Sequence, residues 1–542
     1  MPNNDLAACH KYRGRDFERL LTPHASVVGR LRQWATTQPG EPYLIAVDLD
    51  GAGQTLTYGE LERLSRRLGV WLGNELQLRP GDIVALLPRN DLRSVLTIFA
   101  LLRIGCSIFF INPSEPRKRL LALLGALKLK AVLAPTPQVS AQQPAATGVP
   151  DPTLLGDVPR PSREVEPAPG EKALFFGTSG STATSKIVCQ SNYNAAINAE
   201  ALRRHHRLGR GIRLLGCLPI HHVNGLHFTL FATLWSGAQA ILLESFNPAQ
   251  YQQCVGEYRP AIASVVPSIL ETLLLTWKGS RLPPEFRYFV SAAAPLPART
   301  CASVLENLGV CVLQGYGLTE TTNFSTTMPA GLPEDTYRKL MVTRDIPSIG
   351  VALYGNEVAV LRPDGTRCEA GEVGEICMRG HNVMTGYAGN EALNREAFKG
   401  GWFHSQDLGY EIHDAETGHA FFFVTGRQKN IAKVMGVAVS LEEMERTLLQ
   451  LPTVTDAACF SVPDQLRGEA IIAVVVSAEP LAPALLNAYL KDYFGPAALP
   501  NRYVQAEAIP RTATGKVIRG QLPVLFAGAS IHETQSLWGA AR

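Results

Sequence analysis

The feature that most restricts the fold is an alternation of amphipathic and apolar segments along the first half of the chain. Thr57 and Glu60 stand at capping-box spacing, and Leu61, Leu64, Leu68 and Trp71 follow at helical intervals, which predicts a helix over Leu56–Leu72. The turn Arg79-Pro80-Gly81-Asp82 leads into Ile83–Leu87, a continuous apolar run of buried-strand length. Val95–Ile111 reads as a buried helix followed by a strand, and Leu120–Leu133 repeats the theme. Alternation of this kind predicts an α/β architecture with largely parallel strands. A further helix is expected near Val27–Trp34.

Farther along, strands are expected at Ile212–Leu218, Ala238–Leu243, Ala261–Val266, Tyr288–Val290 and Val310–Leu313. Leu226–Leu234 reads as an apolar helix, and Ser268 with Glu271 as a capping box opening a helix over Ile269–Leu275. After Ile346 the character changes. Short runs with Gly-rich turns, Glu357–Leu361 and Gly374–Met378, point to antiparallel strands in a β-barrel-like lobe, and Ala420–Val424 to a further strand. The last hundred residues carry their own strands, Ala457–Val462 and Ile471–Val476, and a helix opened by Ser440 with Glu443. The expected fold is therefore α/β: a large N-terminal domain over 1–428, an α+β C-terminal domain over 429–527, and a loose tail over 528–542.

Composition narrows the class. A net charge of +3 on 542 residues gives no reason to expect nucleic acid or an acidic membrane as partner. Ten Cys are scattered singly without a C-x-x-C pair, so neither a disulfide framework nor a zinc site is indicated. The greasiest stretch, Val95–Ile111, is interrupted by Arg103 and Gly105 and falls short of a membrane span. The N-terminal residues lack the apolar core of a signal peptide, and the expected location is cytoplasmic.

Several stretches carry chemistry. Phe175–Lys186 reads FFGTSGSTATSK: a strand end, then a Gly/Ser/Thr stretch closing on one Lys. Backbone N–H groups in such turns form an anion-binding concavity, although Gly/Ser/Thr clusters also serve as plain loops. The spacing is not that of a Walker A loop. Gln314–Thr322 offers two Gly for close ligand approach, Tyr316 as a flat face, and Thr319 and Glu320 as hard oxygen ligands; a tight turn capped by Thr319 is the plain alternative. Ala292, Ala293 and Ala294 at a strand end would let a flat ligand lie on the backbone or simply pack closely. The neighbouring His221 and His222 invite a metal, yet adjacent residues rarely chelate one ion and no further ligand set accompanies them.

Six motifs in order and spacing resemble the adenylate-forming superfamily of acyl-CoA synthetases, peptide-synthetase adenylation domains and firefly luciferase. They are TSGSTATSK at Thr178–Lys186, PIHHVNG at Pro219–Gly225, QGYGLTE at Gln314–Glu320, GWFHSQDLGY at Gly401–Tyr410, GRQKNIAKVMG at Gly426–Gly436 and PRTATGK at Pro510–Lys516. The resemblance covers about Leu56 to Arg519. It implies a two-step reaction using ATP and Mg2+: a carboxylate attacks the α-phosphate to give an acyl-adenylate, and a thiol then takes the acyl group.

Carried over by position, the resemblance gives Thr178, Ser179, Gly180, Ser181, Thr182 and Lys186 the triphosphate. Ala292–Ala294 with Gln314, Gly315, Tyr316 and Gly317 would form the adenine pocket. Thr319 and Glu320 would face phosphate and magnesium, Glu320 as metal ligand, and Asp407 and Arg427 would hold the ribose. Lys516 would supply the cation of the first half-reaction, and His222 would gate the carboxylate site. The C-terminal domain would be mobile, turning at Lys429 to bring Lys433 and Gly436 toward a pantetheine tunnel.

The sequence departs from the family pattern at Ala183, Ser185 and Ile187 in the phosphate loop, at Gln406, where Gly is usual, and at Asn430. Pro219–Phe228 holds no acidic residue to pair with a substrate ammonium, which disfavours an α-amino acid and favours a fatty, branched or aromatic acid. Coenzyme A is the expected acceptor. The phosphopantetheine arm of a carrier protein is the alternative, and a silent nucleotide-binding protein a third reading.

Overall fold

The computed structural model describes residues 4–137, 139, 146–158, 167–177, 186–279, 281–435, 437–512 and 515–526. Among them the chain builds four sheets. In the seven-stranded sheet, Ala131–Ala134, Ile83–Leu86, Ser107–Phe110 and Lys172–Gly177 run parallel, and Ile187–Ser191 closes against the last of these antiparallel. Their apolar runs are continuous because both faces are covered. Val84, Leu86, Ile108, Phe110, Leu174 and Phe176 join one core with the helices Tyr58–Glu75 and Leu92–Arg103. Ala85, Leu87, Phe109 and Phe175 point the other way, onto Leu120 and Leu123. The helix at Tyr58 starts on a true capping box: Thr57 Oγ1 accepts from Glu60 N at 3.2 Å, and Glu60 Oε2 accepts from Thr57 N at 2.9 Å.

The nine-stranded sheet is parallel through Gln239–Leu243, Arg213–Gly216, Ile262–Val265, Tyr288–Ser291 and Cys311–Tyr316. In such sheets the carboxyl ends of the strands gather ligands. Two local expectations change here. The apolar segment after His222 forms a π-helix over Asn224–Ala232 and only a short α-helix over Thr233–Ser236. Gly225 is wedged against its own preceding turn, where a Cβ would lie 2.4 Å from Pro219 O. Ser268 and Glu271 form no capping box: the helix runs Pro267–Thr276, begun by proline at its first position, so Ser268 is already inside it. Glu271 instead accepts from the Thr300 hydroxyl.

Beyond residue 346, Asn356–Leu361, Gly374–Gly380, Phe403–Asp414 and His419–Arg427 form a four-stranded antiparallel sheet. A bridge between Gly350 and Phe422 ties it to the nine-stranded sheet. The last sheet has five strands, drawn from Ile431–Val434, Val437–Ser440, Asp456–Asp464, Gly468–Val476 and Arg502–Gln505, over a core of its own that includes Met444, Leu448 and Leu486. Ser440 caps the helix Leu441–Leu448 through Glu443 N. Among the described residues no helix is long and apolar enough to cross a membrane. All ten cysteines are free thiols.

Candidate active site

The strand Cys311–Tyr316 ends in a turn that the surrounding chain fixes on every side. At Gly317 a Cβ would lie 1.7 Å from Asn323 O, so the returning backbone occupies the space a side chain would need. The turn is capped by Thr321, whose Oγ1 accepts from Leu318 N at 3.0 Å, and not by Thr319. From the neighbouring sheet, Gln190 Nε2 donates to Thr319 O at 2.8 Å and to Thr322 O at 3.3 Å. Gln190 Oε1 is in turn 2.9 Å from His227 Nε2, on the π-helix. Glu320 Oε1 accepts from Tyr387 Oη at 2.9 Å, and Lys186 Nζ sits 5.5 Å from the centroid of the same ring.

Asp407, 2% exposed, lies opposite Arg427 in the register of Phe403–Asp414 and His419–Arg427. Arg427 Nε is 2.6 Å from Asp407 Oδ1, and Tyr316 Oη donates to Asp407 Oδ2 at 2.7 Å. The carboxylate raises the Arg427 pKa further, while burial first and then Asp407 push the Tyr316 phenol far up. One buried carboxylate thus joins three separate strands.

Residues after 428 add two cations to this centre. A Cβ on Gly515 would lie 3.7 Å from both Ala294 Cβ and Ser268 Oγ, which seats the Lys516 segment on the carboxyl ends of the nine-stranded sheet. Lys516 keeps an exposed side chain at the resulting cleft. Loss of hydration first, then Arg427, lowers its pKa, while Asp407 and Glu320 act in the opposite sense. His222 is pushed down to about 4, by desolvation first and then by Lys516, so the imidazole and the ammonium share the cleft. Lys429 is lowered by desolvation first, then by Arg427, with Lys186 adding to it.

The structure therefore brings together Lys186, His222, Ala294, Tyr316, Glu320, Asp407, Arg427, Lys429 and Lys516. Ser291 pairs with Gln314 in register, which sets Ala292 beside Gly315; Ala293 has φ +72°. Gln314 Oε1 is buried without a hydrogen-bond partner. Lys433 is placed elsewhere, exposed on Ile431–Val434 with its N–H bonded to Glu469. Thr178, Ser179, Gly180, Ser181, Thr182, Ala183, Ser185 and Gly436 lie outside the described residues. The rings of His221 and His222 are 4.5 Å apart, and among the described residues no metal-type cluster forms around them.

Tyr387 and Gln190 escaped the sequence reading. Each is a single residue on a strand, without periodicity or spacing to single it out, and its partner lies 67 or 129 positions away. Chemically the cleft offers a buried acceptor for hydroxyl donors, a hard carboxylate with a neighbouring hydroxyl for a cation such as magnesium, and ammonium groups for phosphate. Such a donor set fits a magnesium nucleotide.

The family model for AMP-binding enzymes matches residues 31–388, and that for the AMP-binding enzyme C-terminal domain matches 443–516. The chain is 29% identical over 517 residues to the sulfoacetate–CoA ligase of Cupriavidus necator, covering 92% of this chain and 96% of that protein. To the 2-succinylbenzoate–CoA ligase of Bacillus licheniformis it is 28% identical, covering 82% and 90%. Among solved structures, o-succinylbenzoate CoA synthetase of Bacillus subtilis with its acyl-adenylate intermediate is similar at TM-score 0.78 and 26% identity, covering 93% and 99%. The same enzyme with ATP and a magnesium ion is similar at TM-score 0.78 and 26% identity, covering 91% and 98%.

The chain belongs to the AMP-binding enzyme family, within the adenylate-forming superfamily. It is an AMP-forming acid–thiol ligase of the acyl-CoA synthetase class: with ATP and magnesium it activates a carboxylic acid as the acyl-adenylate, and coenzyme A takes the acyl group.

Proposed function

We propose that the cleft around Asp407 and Lys516 is where the acid is adenylated. The observation that supports this most is the arrival of Lys516, from beyond residue 428, beside His222 and within the field of Arg427, Asp407 and Glu320. In this reading Asp407 accepts from the ribose hydroxyls, with Arg427 against the same sugar. Ala292–Ala294 and Gln314–Gly317 hold adenine. Thr178–Thr182 and Lys186 hold the triphosphate. Thr319 would face the phosphates and Glu320 would hold the magnesium ion, whose charge would offset theirs. The acid's carboxylate oxygen bonds to the α-phosphorus as pyrophosphate leaves, and the Lys516 ammonium stabilises the charge that develops there. His222, neutral near pH 7, stands at the carboxylate entrance.

The domain division 1–428 and 429–527, with a turn at Lys429 that would bring Lys433 and Gly436 to the cleft for thioester formation, is part of the same proposal. So is a cytoplasmic location.

For the acid, a segment Pro219–Phe228 without a carboxylate supports a fatty, branched or aromatic substrate over an α-amino acid. One observation favours a second reading. Asn224 Nδ2 is buried without a partner, while its Oδ1 accepts from Ser264 Oγ at 2.8 Å. A free amide donor two residues from His222 suits an acid bearing an additional polar acceptor. Pyrophosphate exchange over a panel of aliphatic, aromatic and oxygen-rich acids separates the two. Exchange with none of them would overturn the adenylation site. Coenzyme A and a holo-carrier protein compared as acceptors would decide between free and carrier-bound thiol, and thioester formed on the carrier alone would overturn the first.

A further inference from the structure

We propose that Glu375 is a positioning residue that aims Asp407, through a clamp on a bulge in the strand that carries it; this rests on the reading of Asp407 as the ribose acceptor. Between Gly374–Gly380 and Phe403–Asp414 the register slips: Glu375 pairs with Leu408 and Cys377 with His404. The slack falls on Ser405, Gln406 and Asp407. Gln406 has φ +63°, a left-handed conformation that disfavours any residue with a Cβ. Such a bulge re-aims the side chain next to it.

Three side chains, Glu375, His404 and Ser405, hold the bulge. Glu375 Oε1 accepts from Gln406 N at 2.8 Å, directly at the left-handed residue. Glu375 Oε2 is 2.8 Å from His404 Nδ1, and His404 Nε2 is 3.0 Å from Lys399 O. Ser405 Oγ donates to Ile376 O at 2.6 Å and accepts from Asp407 N at 2.9 Å. One carboxylate therefore spans the bulge from His404 to Gln406. Glu375, Cys377 and His404 also put their ligand atoms within 4.8 Å of one another, the arrangement of a three-ligand metal site. Both Glu375 oxygens are already engaged, however, one of them by a backbone N–H, which marks the group as a clamp. Glycine at 406 would adopt the same backbone without help. With glutamine there, the left-handed turn depends on Glu375.

The test is steady-state kinetics on Glu375→Ala, Glu375→Asp and Glu375→Gln, each with and without Gln406→Gly, with Asp407→Ala as reference. Glu375→Ala should raise KM for ATP about tenfold, the weight of one charge-assisted hydrogen bond, with kcat and the KM for acid within about twofold. Glu375→Asp, which keeps the charge but withdraws it from Gln406, should show a smaller rise. Glu375→Gln retains an acceptor for Gln406 N–H and should stay near wild type. Gln406→Gly should restore most of the loss in the Ala and Asp variants. An unchanged KM for ATP in Glu375→Asp, or a rise that Gln406→Gly leaves in place, overturns the clamp, and the Asp variant decides if the Ala variant does not fold. If Asp407→Ala itself leaves ATP kinetics unchanged, the ribose reading fails; if only the Glu375 variants do, the clamp alone fails.

Discussion

Tyr316 and Asp407, 91 positions apart, are joined by a 2.7 Å hydrogen bond that brings the end of a parallel sheet to the bulge of an antiparallel one. With Arg427 on its other oxygen, Asp407 is fixed before any ligand arrives. Tyr316→Phe removes one hydrogen bond to a charged acceptor, worth roughly 1.5–3 kcal/mol, and leaves the ring in place. The KM for ATP should rise about ten- to a hundredfold while the KM for the acid stays level. Equal losses for both substrates, measured by pyrophosphate exchange, would contradict the assignment.

Lys516→Ala removes the cation that the loop seated by Gly515 delivers beside His222. Removing a preorganised charge from a developing oxyanion costs about 2.7–4 kcal/mol, or about 10²–10³ in rate. Adenylation should fall by that factor. A preformed acyl-adenylate should still pass its acyl group to coenzyme A, because that step does not use Lys516 in this account. Single-turnover assays of each half-reaction check it, and parallel loss of both would refute the division of labour.

The same lysine sets a pH dependence. Its pKa lies below the ordinary lysine value, chiefly because it is desolvated and then because Arg427 is close. The ammonium is present below that pKa and lost as pH rises through it, so kcat/KM for ATP should decline on the alkaline side sooner than an ordinary lysine would dictate. Lys516→Arg should move this limb to higher pH. His222, held near 4, stays neutral above that value and contributes no limb between pH 6 and 7. A titration near pH 6.5 that disappears in His222→Asn would contradict this.

Gly317→Ala addresses stability. A methyl group there would meet Asn323 O at 1.7 Å, and the turn is braced by Gln190 and Thr321, so the backbone has little room to yield. Overpacking of this kind destabilises by roughly 1–3 kcal/mol or more. Thermal unfolding should show a lower Tm, and ATP binding by titration calorimetry should weaken with it. An unchanged Tm would mean the turn can open.

Much of the molecule was legible in order. The capping box at Thr57 and Glu60 marked its helix because the signal spans four residues. The doubly buried strands were visible because burial on both faces leaves an unbroken apolar run. Ser268 and Glu271 show the limit of such signals: the same spacing occurs inside a helix begun one residue earlier by Pro267. The π-helix after His222 left no trace in an apolar segment that any helix could use. Of the candidate site, the motifs named Asp407, Arg427, Glu320 and Lys516, but not what holds them.

Residue spacing along the chain was therefore enough for most element types and for the α/β class, and the motifs that resemble the family named the charged positions. Those signals are short-range, set by the helical and strand repeats and by residue chemistry. The partners of those charges were settled only when strands far apart in sequence came into register. Tyr316 meets Asp407, Tyr387 meets Glu320, and Glu375 meets the N–H of Gln406 because sheets and bulges put them within 3 Å. A hydrogen bond depends on distance and direction in space, and no repeat along the chain encodes either for residues 31 to 91 positions apart.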